Sequence, residues 1–372
     1  MEFRIARADL NEAVSWAARA LPARTPVPVL GGLSLMAGPG RLAVSGFDFE
    51  TAARVETDAE TVAEGRVLVL GRRLLDICRV LPEGPVSCVL EGSRFTVEAG
   101  GARFGLSTLP YEEYPALPEA PPVYGGVDAA AFATAVGQVA VAAGRDDTLP
   151  VLTGIRLRLD GEEMALSASD RYRYAVRRLE WKPEAGAAGA AVEALLPARR
   201  LLELARSLAR CGTVSIGLDP AEGAGGGMVG FEGGRTRTVL RRLEGRLPGY
   251  GSLFELAGAA VAEVECGALA EAVRRVAVVA EANSPVRLEF SGEDGSVMVR
   301  AGFGDDVAAQ RLPAVLRGAG EVAVAFNPAY LVDALNSFEG PALRLELLGS
   351  GQRVLLGDGG HQHLLMSVKQ LV

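Results

Sequence analysis

Apolar residues recur at i, i+4, i+7 and i+11 in three separate stretches of the chain. In "LNEAVSWAARAL" they are Leu10, Val14, Ala17 and Leu21; in "FATAVGQVAVAA", Phe132, Val136, Val139 and Ala143; in "LAEAVRRVAVVA", Leu269, Val273, Val276 and Ala280. This spacing lays one apolar stripe along a helix and predicts three amphipathic helices. A second set repeats a different pattern. "RRLLDICRVL" carries Leu74, Leu75, Ile77, Cys78 and Leu81; "RRLLELARSL" carries Leu201, Leu202, Leu204, Ala205 and Leu208; "AYLVDALNSF" carries Leu331, Val332, Ala334, Leu335 and Phe338. The near-equal intervals predict one structural unit repeated three times.

Between the helical stretches the pattern changes to period two with turn residues. "RLAVSGFDFETAARVE", "VSCVLEGSRFTVEAGGARFGLST" and "LRLELLGSGQRVLLGDG" read as strands and hairpins. Runs of strands with few helices predict an α+β fold built on antiparallel sheets, not a doubly wound parallel sheet. Proline-rich "YPALPEAPPVYGG" marks a first boundary and "LPGYGSLFELAGAAVAE" a second near Leu253, dividing the chain into 1–122, 123–253 and 254–372. A length of 372 residues agrees, since it exceeds what one core serves.

Charge narrows the function. Against 46 Asp and Glu stand 38 Lys and Arg, a formal net charge of −8, so any nucleic-acid surface must be a local basic face. The second helix set supplies one. Arg72 and Arg79 hold the same offsets from Leu74 as Arg199 and Arg206 from Leu201. Each pair shares a helix face away from the leucines, and Arg210 continues the second. The third copy has no arginine there, but Arg274 and Arg275 lie on its neighbouring helix. Such faces suit phosphates, which need charge but no base-reading geometry.

Catalytic patterns are missing. The two histidines, His361 and His363, have no nearby carboxylate or cysteine in sequence and are expected to be exposed or in turns. "AEGAGGGMVG" (Ala221 to Gly230) lacks a following Lys-Ser/Thr and reads as a hairpin turn, as does "GDD" at Gly304 to Asp306. Ser169 and Asp170 of "SASDR" have no histidine to complete a nucleophile. Cys78, Cys88, Cys211 and Cys266 form no C-x-x-C pair and are expected to be buried free thiols. No catalytic residue, cofactor or metal site is expected. "MEFRIARADL" has no signal-peptide pattern and no apolar run reaches about 18 residues, which predicts a cytoplasmic protein with no membrane partner.

Several motifs resemble one family, the bacterial DNA polymerase III beta subunit or sliding clamp. They are "LDICRVLPEG", "DDTLPVLTGIRL" followed by "SASDRYRYAV", "FNPAYLVDAL", the linker "STLPYEEYPALPE" and the terminal "LLM-x-V". The resemblance spans the whole chain and implies a DNA clamp fold. Three similar domains, each with two helices on antiparallel sheets, would form a head-to-tail dimeric ring. Helices would surround duplex DNA without reading its sequence. Partners would be DNA polymerase III alpha subunit, the clamp loader and other proteins carrying clamp-binding motifs, with processivity conferred and no reaction catalysed.

Matched position by position, the resemblance implies DNA contacts at Arg24, Arg72, Arg73, Arg79, Arg199 and Arg206. It sets Phe104 and Leu106 of one chain against Val278 and Val279 of the other. It also implies a partner-peptide cleft comprising Leu152, Ser169, Arg171, Tyr172, Arg173, Tyr174, Pro248, Leu253, Leu365, Met366, Ser367 and Val368. Departures from the family pattern concentrate there. Ser367 stands where proline is usual, Tyr174 where leucine is common, "PGYGS" has glycines where bases often occur, and the end reads "KQLV". Asp146, Pro150 and Val151 replace polar and aromatic DNA contacts of some members. These changes imply altered partner affinity, and admit a divergent second copy acting as an adaptor, decoy or resistance form.

Overall fold

A computed structural model describes residues 1–24, 27–185, 191–218, 227–281, 284–303 and 305–369. Residues 221–226 of the glycine-rich stretch, Gly304 of "GDD", and Gln370 with the two residues after it lie outside the described residues. Six α-helices occur among the described residues: α1 (Arg7–Ala17), α2 (Gly71–Val80), α3 (Ala129–Ala140), α4 (Ala198–Leu208), α5 (Cys266–Val276) and α6 (Pro328–Leu335). They are the six helices expected from the two repeated patterns. Members of the first set pack against members of the second in the pairs α1–α2, α3–α4 and α5–α6.

The stripe positions are the buried ones. Leu10, Val14, Phe132, Val136, Val139, Leu269 and Val273 are fully buried, and so are Leu74, Cys78, Leu201, Ala205, Leu208, Leu331 and Ala334. In the first set the fourth apolar position (Leu21, Ala143 or Ala280) falls beyond the α-helix and closes the turn that follows. The third repeat starts its helices with side-chain caps. Glu265 accepts from the N–H groups of Gly267 and Ala268 at the start of α5, and Asn327 from Ala329 and Tyr330 at the start of α6.

The chain divides into two compact units, one of Met1–Asp128, Pro183–Ala187 and Arg210–Arg242, the other of Ala129–Lys182, Ala188–Ala209 and Leu243–Val372. In the first unit the strand Thr236–Arg241 pairs antiparallel with Thr51–Asp58, Thr238 facing Ala53. Trp16 of α1 donates from Nε1 to Thr238 Oγ1 at 3.2 Å, fixing the helix over this sheet. In the second unit a twelve-stranded sheet runs from Val192–Pro197 at one edge to Glu321–Phe326 at the other. Within it Arg173–Glu180 pairs antiparallel with His361–Met366, Ala175 facing His363. The second strand of that pair continues against Arg353–Gly357. Its apolar residues therefore lie inside a sheet, flanked by strands on both sides.

This strand overturns the expectation of exposed histidines. His361 and His363 are both fully buried, because alternate positions of a central strand face the core. His361 Nδ1 lies 3.2 Å from Val176 O, which can only accept, so Nδ1 carries the proton of the neutral ring. Its Nε2 lies 2.8 Å from Ser337 Oγ. His363 finds no hydrogen-bond partner for either ring nitrogen among the described residues. Burial holds both imidazoles below the usual value of 6.5, that of His361 at about 4.

One cysteine also departs from expectation. Cys78, Cys88 and Cys266 are buried, but Cys211 is exposed, since it occupies the bend after α4 and not a packed element. Burial pushes the thiols of Cys78 and Cys266 up to about 12 and about 11, which keeps them protonated and unreactive. No helix of the described residues is long and apolar enough to cross a membrane. No group of three or more His, Cys, Asp or Glu among them could hold a metal ion.

Candidate functional site

The basic face is real on two of the three helix pairs. In α2, Arg72, Arg73 and Arg79 are exposed, while Leu74 and Cys78 point into the core. Arg72 donates to the carbonyls of Pro22 (3.1 Å) and Ala23 (3.3 Å), which brings the exposed Arg24 next to this helix. In α4, Arg199 and Arg206 are exposed on one face, the Arg199 side chain 91 % so. Arg79 is paired with Asp76 and Arg199 with Glu203, each at 3.3 Å. Exposed pairs of this kind are weak, on the order of 0.2–1 kcal/mol, and can be exchanged for phosphate.

The third helix pair differs. Arg274 of α5 is engaged by Glu271 and by Asn336, and Arg275 by Gln310 at 3.3 Å and Glu271 at 3.9 Å. The two guanidinium groups share one carboxylate, Glu271, in exposed pairs of the same weak kind as those of Arg79 and Arg199.

The cleft residues separate into distinct groups. Asp170, Arg171 and Tyr172 form a tight turn in which Asp170 Oδ1 accepts from the N–H groups of Tyr172 and Arg173, both at 3.1 Å. Arg171 holds φ of 83°, the left-handed region uncommon for side chains with a Cβ. Ser169 is buried and its hydroxyl donates to Arg173 O at 2.8 Å. Arg173 is itself buried. Its guanidinium lies 2.8 Å from Asp170 Oδ2 and 3.0 Å from Asp333 Oδ2, and 4.4 Å above the Tyr330 ring. Its donors are committed inside the fold, where it ties the Asp170 turn to Asp333 and Tyr330 of α6.

Leu152, Arg171, Tyr172 and Arg173 line a cavity of about 590 Å³ together with Leu149, Tyr330 and Asp333. Tyr174, Pro248 and Leu253 lie elsewhere, in a neighbouring apolar cluster with Tyr250 and Phe254. Leu365 is buried in the core beneath α5 and α6. Met366 and Val368 are exposed, with Met366 N–H donating to Tyr172 O at 2.9 Å and Val368 N–H to Ala325 O at 2.7 Å. Ser367 is buried between them.

Five contributors escaped the sequence reading: Leu149, Tyr250, Phe254, Tyr330 and Asp333. The two tyrosines and Phe254 are aromatic residues in stretches read only as a boundary or a helix, and their convergence on Arg173 and Tyr174 is long-range.

The expected interface residues do not all face outward. Leu106 is 6 % exposed within its own fold; Phe104, two residues away on Ala102–Leu109 and therefore on the same strand face, is less deeply covered, while Arg103, Gly105 and Ser107 form the exposed face. Val278 is 83 % exposed, in the turn Ala277–Val279 that packs against the hairpin strands Ser296–Phe303 and Asp306–Arg317. Phe303 (92 % exposed) and Val307 are exposed apolar residues on the same two strands.

Comparison with known proteins joins these surfaces to one lineage. Family models for the N-terminal, central and C-terminal domains of DNA polymerase III beta subunit match residues 1–118, 126–249 and 253–368. The chain is 47 % identical over 379 residues to the beta sliding clamp of Streptomyces coelicolor, covering 99 % of each. It is 40 % identical, again over 99 % of each, to the beta sliding clamp homolog GriR of Streptomyces muensis. Crystal structures of the DNA polymerase III subunit beta of Pseudomonas aeruginosa (24 % identity, TM-score 0.90) and the sliding clamp of Bacillus subtilis (22 %, 0.91) share the fold over 100 % of both chains. With a repeated helix pair, antiparallel sheets and full-length relatives of that name, the chain belongs to the DNA polymerase III beta subunit family, the beta sliding clamps.

Proposed function

We propose that two copies of this chain close head to tail into a ring that encloses duplex DNA and tethers DNA polymerase III and other replication and repair proteins. The family is noncatalytic, and the ring confers processivity by enclosure. The observation that carries this reading is the full-length relation to a beta sliding clamp at 47 % identity. Three domains, 1–122, 123–253 and 254–372, would each contribute one helix pair to the inner wall. Arg24, Arg72, Arg73, Arg79, Arg199 and Arg206 would contact phosphates, exposed on α2, on α4 and beside α2. Net negative charge elsewhere limits adhesion to DNA outside the ring. Phe104 of one copy would meet Val278 and Val279 of the other, with Leu106 beside Phe104 on the same strand face. Short peptides of partners would dock at the cavity beside Tyr172 and Met366. A protein acting on bacterial DNA in this way would work in the cytoplasm.

Loading onto nicked circular DNA by a competent loader, followed by linearisation, tests the reading. A clamp is retained on circles and lost from linear DNA; failure to be retained on circles overturns it. A second reading, a divergent copy acting as adaptor, decoy or resistance form, is favoured by the cleft substitutions at Tyr174 and Ser367. It requires dimerisation and peptide binding without efficient loading, and the same assay separates the two.

A further inference from the structure

Four residues expected to receive a partner side chain touch one another instead. Tyr174 is 3 % exposed, and its hydroxyl donates to Pro248 O at 2.8 Å. Its ring meets Phe254 edge-on at 5.9 Å and Tyr250 at 5.6 Å, and those two rings meet at 5.3 Å. Leu152 and Leu253 pack against the same cluster. Arg178 holds Tyr250 from the other side, donating to its hydroxyl at 3.3 Å, and Arg156 lies 5.4 Å from the ring centre. The Tyr174 ring is buried beneath the partly buried Tyr250, Leu253 and Phe254, and the hydroxyls of both tyrosines have hydrogen-bond partners. Left open to solvent are Tyr172 (59 %) and Met366 (42 %), joined through the Met366 N–H bond to Tyr172 O.

Building on the peptide-cleft reading, we infer that Tyr174 fills this chain's apolar anchor pocket and makes the cleft select against peptides with a large aromatic anchor. An incoming phenylalanine ring must displace Tyr174 or Tyr250 and break the bond to Pro248 O. A peptide with a small residue at that position needs no displacement and lies on the Tyr172–Met366 lip. Selection by a pre-filled pocket works through a clash with the disfavoured ligand, not through a new contact with the favoured one.

Two fluorescein-labelled hexapeptides, identical except that one ends Leu-Phe and the other Leu-Ala, test this by anisotropy with the full-length protein. Wild type is expected to bind the Leu-Ala peptide more than about threefold tighter than the Leu-Phe peptide, whereas Tyr174→Leu gains about tenfold or more for the Leu-Phe peptide alone, as burial of a phenyl ring allows. Tyr174→Phe keeps the ring and behaves as wild type. Tyr250→Ala opens the cluster from its half-exposed side and reproduces the gain, which keeps the test decisive should Tyr174→Leu fail to fold. Binding of the Leu-Phe peptide to the opened variants alone supports the inference. A wild type that already prefers Leu-Phe by about tenfold, unchanged in the opened variants, overturns it and leaves the cleft reading intact. No binding of either peptide to any folded variant overturns both.

Discussion

Ser367 donates both its backbone N–H (3.0 Å) and its hydroxyl (2.8 Å) to the carbonyl oxygen of Gln352. The hydroxyl also lies 3.4 Å from Gly349 O. The segment after the last strand is thereby stitched to the turn before Arg353, and Met366 is held at the lip of the cleft. Ser367→Ala, which removes the hydroxyl bonds only, should lower stability by about 1 kcal/mol. Ser367→Pro also removes the N–H and should cost more. Denaturation midpoints of the two variants check the order; a proline variant as stable as wild type would show that the stitch contributes nothing.

Removing Arg173 strands Asp170, whose side chain is 11 % exposed, without its cation. Arg173→Ala should destabilise the second unit by about 3 kcal/mol, in the range for a broken buried ion pair. Asp333→Asn should cost less than half as much, because Asp333 is 39 % exposed and water can replace the pairing. Thermal unfolding of both variants gives the comparison directly.

Acid should weaken the fold through the buried histidines. Both imidazoles have folded values below the unfolded 6.5, so their neutral packing is fully effective above that pH. As pH falls from 6.5 towards 4 the unfolded chain binds protons that the folded chain refuses. At pH 4 the loss from His361 alone is about 3 kcal/mol. His363→Leu, which replaces an unpartnered buried ring, should flatten the fall of melting temperature with pH over this window.

The exposed arginines should be separable by salt. If Arg73 and Arg206 each contact one phosphate, Arg73→Ala with Arg206→Ala should reduce the slope of log affinity against log salt by about 0.9 per residue. Arg54→Ala, on the strand Thr51–Asp58 and not on any helix face, should leave it unchanged. A salt series of DNA-binding measurements distinguishes the two sets.

If Val278 lies in the proposed ring contact, Val278→Asp should shift the protein to monomer in light scattering, because it would bury a carboxylate among apolar groups. Cys211→Ser, equally exposed and remote from the expected contacts, serves as the unaffected control.

The helices were legible in the sequence because their apolar positions are set by local period: Leu10, Val14, Leu74 and Cys78 are buried for the reason their spacing implied. Charge at Arg72, Arg79, Arg199 and Arg206 was legible on the same ground. What was not legible depends on long-range pairing. His361 is buried because its strand lies between two others, and nothing adjacent to it in sequence announces that. Phe104 and Leu106 share one strand face, and the sequence alone does not say how deeply neighbouring strands cover each. Arg173 looked like an exposed cleft base until Asp333, 160 residues away, supplied its second carboxylate.

The pairing of Arg173–Glu180 with His361–Met366 also governs how the molecule is made. His361 and Val176 are 185 residues apart in sequence, so one flank of the earlier strand must wait for a very long loop to close. Until then it presents unsatisfied backbone groups beside Tyr174 and Val176, an open template for a neighbouring chain. The strand that completes the cleft wall is thus also the one whose late arrival sets the aggregation risk of the newly made protein.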